Sequence, residues 1–154
     1  MNKITSPSRK TVSSAIARLM PNIIRGVQLD FFAKRSITQT QFLMVVAIHA
    51  YGRCSMSALA RNMKIKMPTA TGIVNRLAAA AYIRRFTDAK DRRKVMVELT
   101  PKGQQFIEAF RDVMRRRWED VMRPLNDRDL REFYDVIQKL LKNFETYEPH
   151  DEAA

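Results

Sequence analysis

Thr69, Thr71, Asn75 and Arg76 lie within one short segment headed by Pro68. Two hydroxyls, an amide and a guanidinium at helical spacing are the side chains that hydrogen-bond the edges of base pairs in a DNA major groove. A second cluster, Asp91-Arg92-Arg93, sets two guanidinium groups beside one carboxylate. Such a cation can enter the negative minor groove, and the carboxylate can hold Arg92 or Arg93 in one orientation. Taken alone, the first cluster reads equally well as the polar side of a surface helix. The second cluster decides between the two readings. The runs Arg84-Arg85 and Arg115-Arg116-Arg117 are read as solvated faces or phosphate contacts.

Other chemistries lack a nucleus. Residues 36–81 contain no carboxylate to act as acid or base, no Ser has an evident triad partner, and Gly52, Gly72 and Gly103 form no phosphate-cradling loop. An enzyme is therefore not expected. His49 and Cys54 are the one nearby pair of soft ligands, and His150 is far away, so no metal and no cofactor are expected. Cys54 is read as a small buried hydrophobe rather than an oxidant sensor. The methionines, among them Met44, Met56, Met63 and Met67, are read as core filler.

These clusters need elements to position them. Val12, Ile16, Leu19, Ile23, Val27 and Phe31 recur every three or four residues, the period of an amphipathic helix, which Pro21 should kink or split. Thr38 and Gln41 form a capping box, with Ile37 and Phe42 as its hydrophobic staple. That helix runs through Leu43, Val46, Ala47 and Ala50 to Gly52, a residue suited to a left-handed end. Ser55 caps a short helix burying Met56, Leu59, Ala60 and Met63, and residues 64–66 turn the chain. Pro68 then opens a third helix whose inward stripe is Ile73, Val74 and Leu77. Alternation replaces the helical period at residues 83–87 and 95–99, so a charged hairpin is expected with residues 88–94 at its tip. Thr100 and Pro101 start the next helix, with Phe106, Phe110, Val113, Met114 and Val121 inward. Pro124 ends it, and Asn126 caps a last helix bearing Leu130, Phe133, Ile137, Leu140, Leu141 and Phe144. The expected fold is mainly α with a small β wing, in the order of a winged helix-turn-helix.

Charge narrows the partner further. The 154 residues carry 28 Lys and Arg against 16 Asp and Glu, a formal net charge of +12. The excess lies in residues 1–103, whereas residues 124–154 are net −4. A cationic front of this kind suits phosphates better than an ordinary solvated surface, which mixes both signs. One Cys permits no internal disulfide framework, and the apolar run at residues 42–51 is half the length of a ~20-residue membrane span. The chain is expected to be cytoplasmic, with no membrane partner and no signal peptide.

With those elements in place, the sequence resembles the MarR (multiple antibiotic resistance regulator) family. Thr38-Gln39-Thr40-Gln41-Phe42 is similar to the family's opening of its second helix, and Leu59-Ala60 to its short helix. Residues 88–93 followed by Leu99-Thr100-Pro101-Lys102-Gly103 are similar to its wing and exit signature, the most specific part. The resemblance covers residues 12–144. It implies a homodimer with a helical dimerisation region at 1–35 and 104–147, a winged helix-turn-helix lobe at 36–103, and a flexible tail at 148–154. It further implies double-stranded DNA with a pseudopalindromic operator as partner, and repression relieved by a small, often aromatic, effector near the junction of dimer and lobe. Carried over by position, Pro68, Thr69, Thr71, Asn75 and Arg76 read DNA, Arg92 or Arg93 is the wing cation, Asp91 orients it, and Leu140 and Phe144 serve dimerisation. Three residues depart from the pattern. Gly72 removes a possible base contact, Ala81 stands where the family has Gly at a helix end, so that turn is either strained or built differently, and Pro21 is uncommon in a long helix. Gly72 and the charge favour an alternative, a low-specificity architectural nucleic-acid-binding protein.

Overall fold

The computed structural model describes residues 6–145, with side-chain surroundings through 143. The tail at 148–154 lies outside them. Helix α1 spans Arg9–Val27, capped by the Ser8 hydroxyl, which accepts from the Thr11 N–H at 3.2 Å. Pro21 does not split it. Proline removes one backbone donor, and here Pro21 and Ala17, whose carbonyl loses its partner, both face solvent, so water can take up the bond. The helix instead changes pitch further on, at a π-helical turn, Gln28–Phe32.

Helix α2, Gln39–Tyr51, begins with the expected reciprocal box: the Gln41 N–H donates to Thr38 Oγ1 at 3.2 Å and the Thr38 N–H to Gln41 Oε1 at 2.8 Å. Its buried side is Phe42, Met44, Val45 and Ile48, whereas Leu43 and Val46 face outward. Gly52 ends it with φ +66°. Strand β1, Cys54–Ser55, is followed at once by α3, Met56–Asn62, and after a turn by α4, Met67–Ala79. Lys64 closes α3 with φ +52°, and the Ile65 N–H reaches back to the Ala60 carbonyl at 3.0 Å, a Schellman motif. Met67 is exposed at the first turn of α4, not core filler, because the inward face starts only at Ala70.

Strands β2, Ile83–Thr87, and β3, Val95–Leu99, pair antiparallel with Arg84 opposite Glu98 and Arg85 opposite Val97. Sequence reading missed β1, which pairs Cys54 with Val97 and makes the wing three-stranded in the order β1-β3-β2. Helix α5, Pro101–Met122, leaves the sheet, and α6, Asp127–Glu145, follows a short turn. Asn126 Oδ1 accepts from the Arg128 and Asp129 N–H groups at 2.9 and 3.1 Å, capping α6.

The chain divides into two compact units within α5, between Arg117 and Trp118. In the first, the core runs from Phe31 through Met44, Val45 and Ile48 to Leu59, Val74, Leu77 and Val97, all essentially inaccessible. Phe31 is its aromatic centre: its ring lies 5.0 to 6.1 Å from those of Phe32, Phe42, Phe106 and Phe110. The π turn thus presses Phe31 against α2 and α5 in edge-to-face and tilted ring contacts that add to the burial itself. Arg117 pairs with Asp30 of the same turn, and Gly26 leaves room for its guanidinium, since a Cβ there would come within 2.6 Å of Arg117 Nε. Arg117 is therefore a packed group, not part of a solvated run.

The second unit is α6 with the end of α5. Leu130, Phe133, Tyr134, Val136, Leu140 and Leu141 of α6 are all at least 37% exposed. Val12, Ile16, Leu19, Met20 and Ile24 leave a similar exposed row on α1, so only Ile23 and Val27 of that helix, with Phe31 beyond it, enter the core of the first unit.

Candidate nucleic-acid interface

The end of α4 shows how the lobe holds its shape. Ala81 adopts φ +61°, the left-handed turn, at a strain of ~1 kcal/mol or more for a residue with a Cβ. The Tyr82 N–H then bonds the Leu77 carbonyl at 2.9 Å, completing a second Schellman motif. Thr100 binds the far side: its N–H meets the Tyr82 carbonyl at 3.0 Å and its hydroxyl the Ala81 carbonyl at 2.6 Å. Lys102 Nζ donates to the Ala80 carbonyl at 2.8 Å. Gly103 explains the Lys-Gly end of the exit signature, since a Cβ on it would fall 2.1 Å from the Tyr82 oxygen. The signature is thus a clamp from the start of α5 on the last turn of α4.

On the clamped helix, Pro68, Thr69, Asn75 and Arg76 are exposed, and Thr71 is half-buried. Gly72 lies amid them, and a Cβ there would meet nothing within 4 Å. Pro68 occupies the first turn of α4, where its missing N–H costs no bond. Asn75 is not free-standing: Arg85 Nη1 donates to Asn75 Oδ1 at 2.6 Å.

At the wing tip, Asp88 Oδ1 accepts from the Lys90 and Asp91 N–H groups at 2.7 and 3.2 Å, a side-chain-built turn that fixes the path of the loop. Asp91 Oδ1 accepts from the Arg93 N–H at 3.1 Å and stands 3.6 Å from Arg93 Nε, with Lys94 Nζ 4.0 Å from its other oxygen. The carboxylate therefore faces Arg93, whose side chain is 95% exposed, and Arg92 is exposed beside it.

Sequence reading assigned the remaining wing cations to solvent or phosphate. Arg84 instead pairs with Glu98 across the strands, and Arg53 Nε joins the same carboxylate at 2.8 Å while its guanidinium lies 5.0 Å from the Phe86 ring centre. These hydrogen bonds hold the Glu98 carboxyl below the usual carboxylate range. The alternation of Arg84 with Glu98 across two strands carried that signal, but only once the register was known.

Cys54 is half-buried in β1, and burial pushes its thiol above the ordinary value, away from the thiolate an oxidant sensor needs. His49 is half-buried on α2, with Nε2 2.9 Å from Arg111 Nη2. Leu140 is 49% exposed on α6, and the backbone of Phe144 belongs to the same helix, its side chain lying outside the described residues. Among the described residues no helix is long and apolar enough to cross a membrane, and no group of three His, Cys, Asp or Glu could hold a metal ion.

A helix-turn-helix with its third helix clamped outward and a three-stranded wing beside it is the winged helix-turn-helix architecture. The MarR family model matches residues 37–95, which is most of the winged lobe. The transcriptional repressor NicR of Pseudomonas putida is 34% identical over 90 residues, covering 58% of this chain and 57% of its own. The chain thus spans little more than half the length of that relative. The transcriptional regulator YxaD of Bacillus subtilis is 25% identical over 79% of this chain and 87% of its own. Among solved structures, the regulator Tm0710 of Thermotoga maritima superposes with a TM-score of 0.77 at 22% identity, over 90% of this chain and all of its own. A point mutant of MepR from S. aureus, bound to an oligodeoxyribonucleotide, gives 0.67 at 18% identity, over 87% and 98%.

Proposed function

We propose that this chain is a homodimeric, sequence-specific double-stranded DNA-binding transcriptional repressor, working in the cytoplasm and relieved by a small apolar or aromatic ligand. The observation that carries the reading is the joint exposure, on one lobe, of the α4 face bearing Pro68, Thr69, Asn75 and Arg76 and of the wing tip bearing Arg92 and Arg93. The helix suits the major groove, with Thr71 at its margin, and the wing cations suit the minor groove or the phosphates flanking it. Asp91 lies beside Arg93, which suits a directed minor-groove cation, while the exposed Arg92 suits a phosphate. The DNA-bound MepR structure supports this reading by likeness of fold.

Dimerisation is supported by the two exposed apolar rows, Val12, Ile16 and Leu19 on α1 and Leu130, Phe133, Leu140 and Leu141 on α6. Rows of this size left in water are a liability that a second copy would remove. On this reading residues 1–35 and 104–147 make the dimerisation region and 36–103 the DNA-binding lobe, and the two recognition helices bind half-sites about 34 Å apart on a pseudopalindrome. Ligand relief is supported by a cavity of about 610 Å³ in the first unit, walled by Ile24, Leu29, Phe32, Phe42, Phe110 and Met114. It touches the π turn and α2 together, so an occupant that binds one arrangement of those elements better than another would shift the DNA-binding equilibrium.

Gly72 favours a second reading, an architectural binder of low specificity, because it leaves the centre of the α4 face without a side chain. Selection from a random duplex pool at near-physiological salt, then titration against scrambled DNA, separates the two. Recovery of a pseudopalindrome bound at least ~10³-fold tighter than scrambled DNA upholds the repressor reading. Enrichment of nothing, with binding that collapses as salt rises, upholds the architectural one.

A further inference from the structure

Arg85 stands on β2 opposite Val97, and Val97 is fully buried on the face of the wing that meets the helices. Its neighbour Arg84 points the other way and is held by Glu98. Strand alternation thus delivers one arginine of the pair to α4, where its Nη1 donates to Asn75 Oδ1 at 2.6 Å. A guanidinium carries donors and no acceptor, so the atom facing it must be the amide oxygen. The amide nitrogen of Asn75 is turned away from Arg85.

We propose that Arg85 is a specificity-determining positioning residue that makes Asn75 a donor-only reader of base edges. The proposal rests on the DNA-binding reading above. An unconstrained Asn reads adenine with two bonds, its oxygen accepting from N6 and its nitrogen donating to N7. With that oxygen committed to a charge-assisted bond, the outward group is the NH2 alone. Guanine presents two acceptors, N7 and O6, in the major groove, and both suit that group. Adenine would leave its N6 donor facing a second donor. Gly72, one turn before Asn75 and Arg76, keeps the approach to this amide open, since even a Cβ there would meet nothing within 4 Å. The pair therefore selects a G·C base pair at its position where the residue type alone suggests A·T.

The test uses the full chain in three forms, wild type, Asn75→Ala and Arg85→Met, each taken through selection from a random duplex pool. The position whose preference disappears in Asn75→Ala is the one Asn75 reads. That position should be G·C in wild type and should move toward A·T by about tenfold or more in Arg85→Met, the span of one bidentate base contact. An A·T pair in wild type overturns the proposal. So does an unchanged preference in Arg85→Met with a uniform loss of affinity, which would make Arg85 a phosphate contact, and so does a motif that Asn75→Ala leaves intact. Wild type enriching no motif refutes the sequence-specific reading itself, a result distinct from any motif with the wrong base. Both residues are exposed, and equal thermal midpoints confirm that the variants fold; Arg85→Ala replaces Arg85→Met if its midpoint falls.

Discussion

Gly103→Ala sets two physical effects against each other with opposite signs. Gly103 lies in the first turn of α5, where helix propensity alone makes alanine better by about 1 kcal/mol. The structure says otherwise, because the new Cβ would lie 2.1 Å from the Tyr82 oxygen, 3.2 Å from the Tyr82 carbonyl carbon and 3.3 Å from Leu99 Cβ. Ordinary contact begins near 3.4 Å, so the backbone of Tyr82 or of α5 must move by more than 1 Å. The moving carbonyl is the one that receives the Thr100 N–H at 3.0 Å, while the Thr100 hydroxyl is engaged mainly by the neighbouring Ala81 carbonyl at 2.6 Å. Overpacking against a backbone carbonyl costs about 3 kcal/mol and the Thr100 N–H bond about 1 kcal/mol, which, offset by the propensity gain of about 1 kcal/mol, leaves a net loss of about 3 kcal/mol. Urea unfolding followed by circular dichroism, with wild type and variant fitted to a common slope, measures it. At a slope of about 2 kcal/mol per molar the midpoint should fall by roughly 1.5 M. A midpoint that rises, or falls by an amount worth less than about 1 kcal/mol, would refute the clamp and leave propensity in charge.

Ala81→Gly should raise stability by about 1 kcal/mol in the same assay, because it releases the strain of φ +61°. Arg92→Ala and Arg93→Ala should leave the unfolding midpoint unchanged while each lowers the slope of log affinity against log salt by about 0.9, whereas Arg76→Ala should relax base preference by about 1 to 3 kcal/mol; equal effects of all three on scrambled and selected DNA would remove the distinction. Glu98 has a folded-state carboxyl lowered by Arg53 and Arg84, so its contribution is present above the unfolded carboxylate range near pH 4.3 and is lost as pH falls through the lower folded value. The thermal midpoint of Glu98→Gln should therefore lie below wild type at neutral pH and approach it in acid. Leu140→Asp should shift sedimentation from dimer toward monomer with the winged lobe still folded, and an unchanged dimer would exclude the α6 face from the interface.

Much of the lobe was legible because its signals are local. The Thr38 and Gln41 box, the Ser55 cap, Pro68 at its first turn and the switch from helical to alternating period all act within a few residues, and the elements begin where those residues put them. Even the left-handed residue at the end of α4 could be placed in advance, though not whether Ala81 would adopt it. The pairing of side chains across elements was hidden. Arg84 and Arg85 are indistinguishable as a dipeptide, yet one faces Glu98 and the other Asn75 once β2 registers against β3. Arg117 likewise looks like one cation in a run of three until α5 lies across Gly26 and Asp30.

The sequence by itself determined the order of the helices and of the wing hairpin, the polarity of α4 and the charge of the wing, since capping, periodicity and composition depend on neighbours in the chain. Tertiary structure alone decided the rest. Strand β1 exists because Cys54 and Ser55 find Val97 and Met96, and the π turn holds its pitch with Phe31 set among rings from α2 and α5. Gly103 is required because a carbonyl twenty-one residues earlier lies where its side chain would be. In each case the deciding contact joins residues far apart in the chain, a distance over which no local preference reaches and only the packed fold supplies the partner.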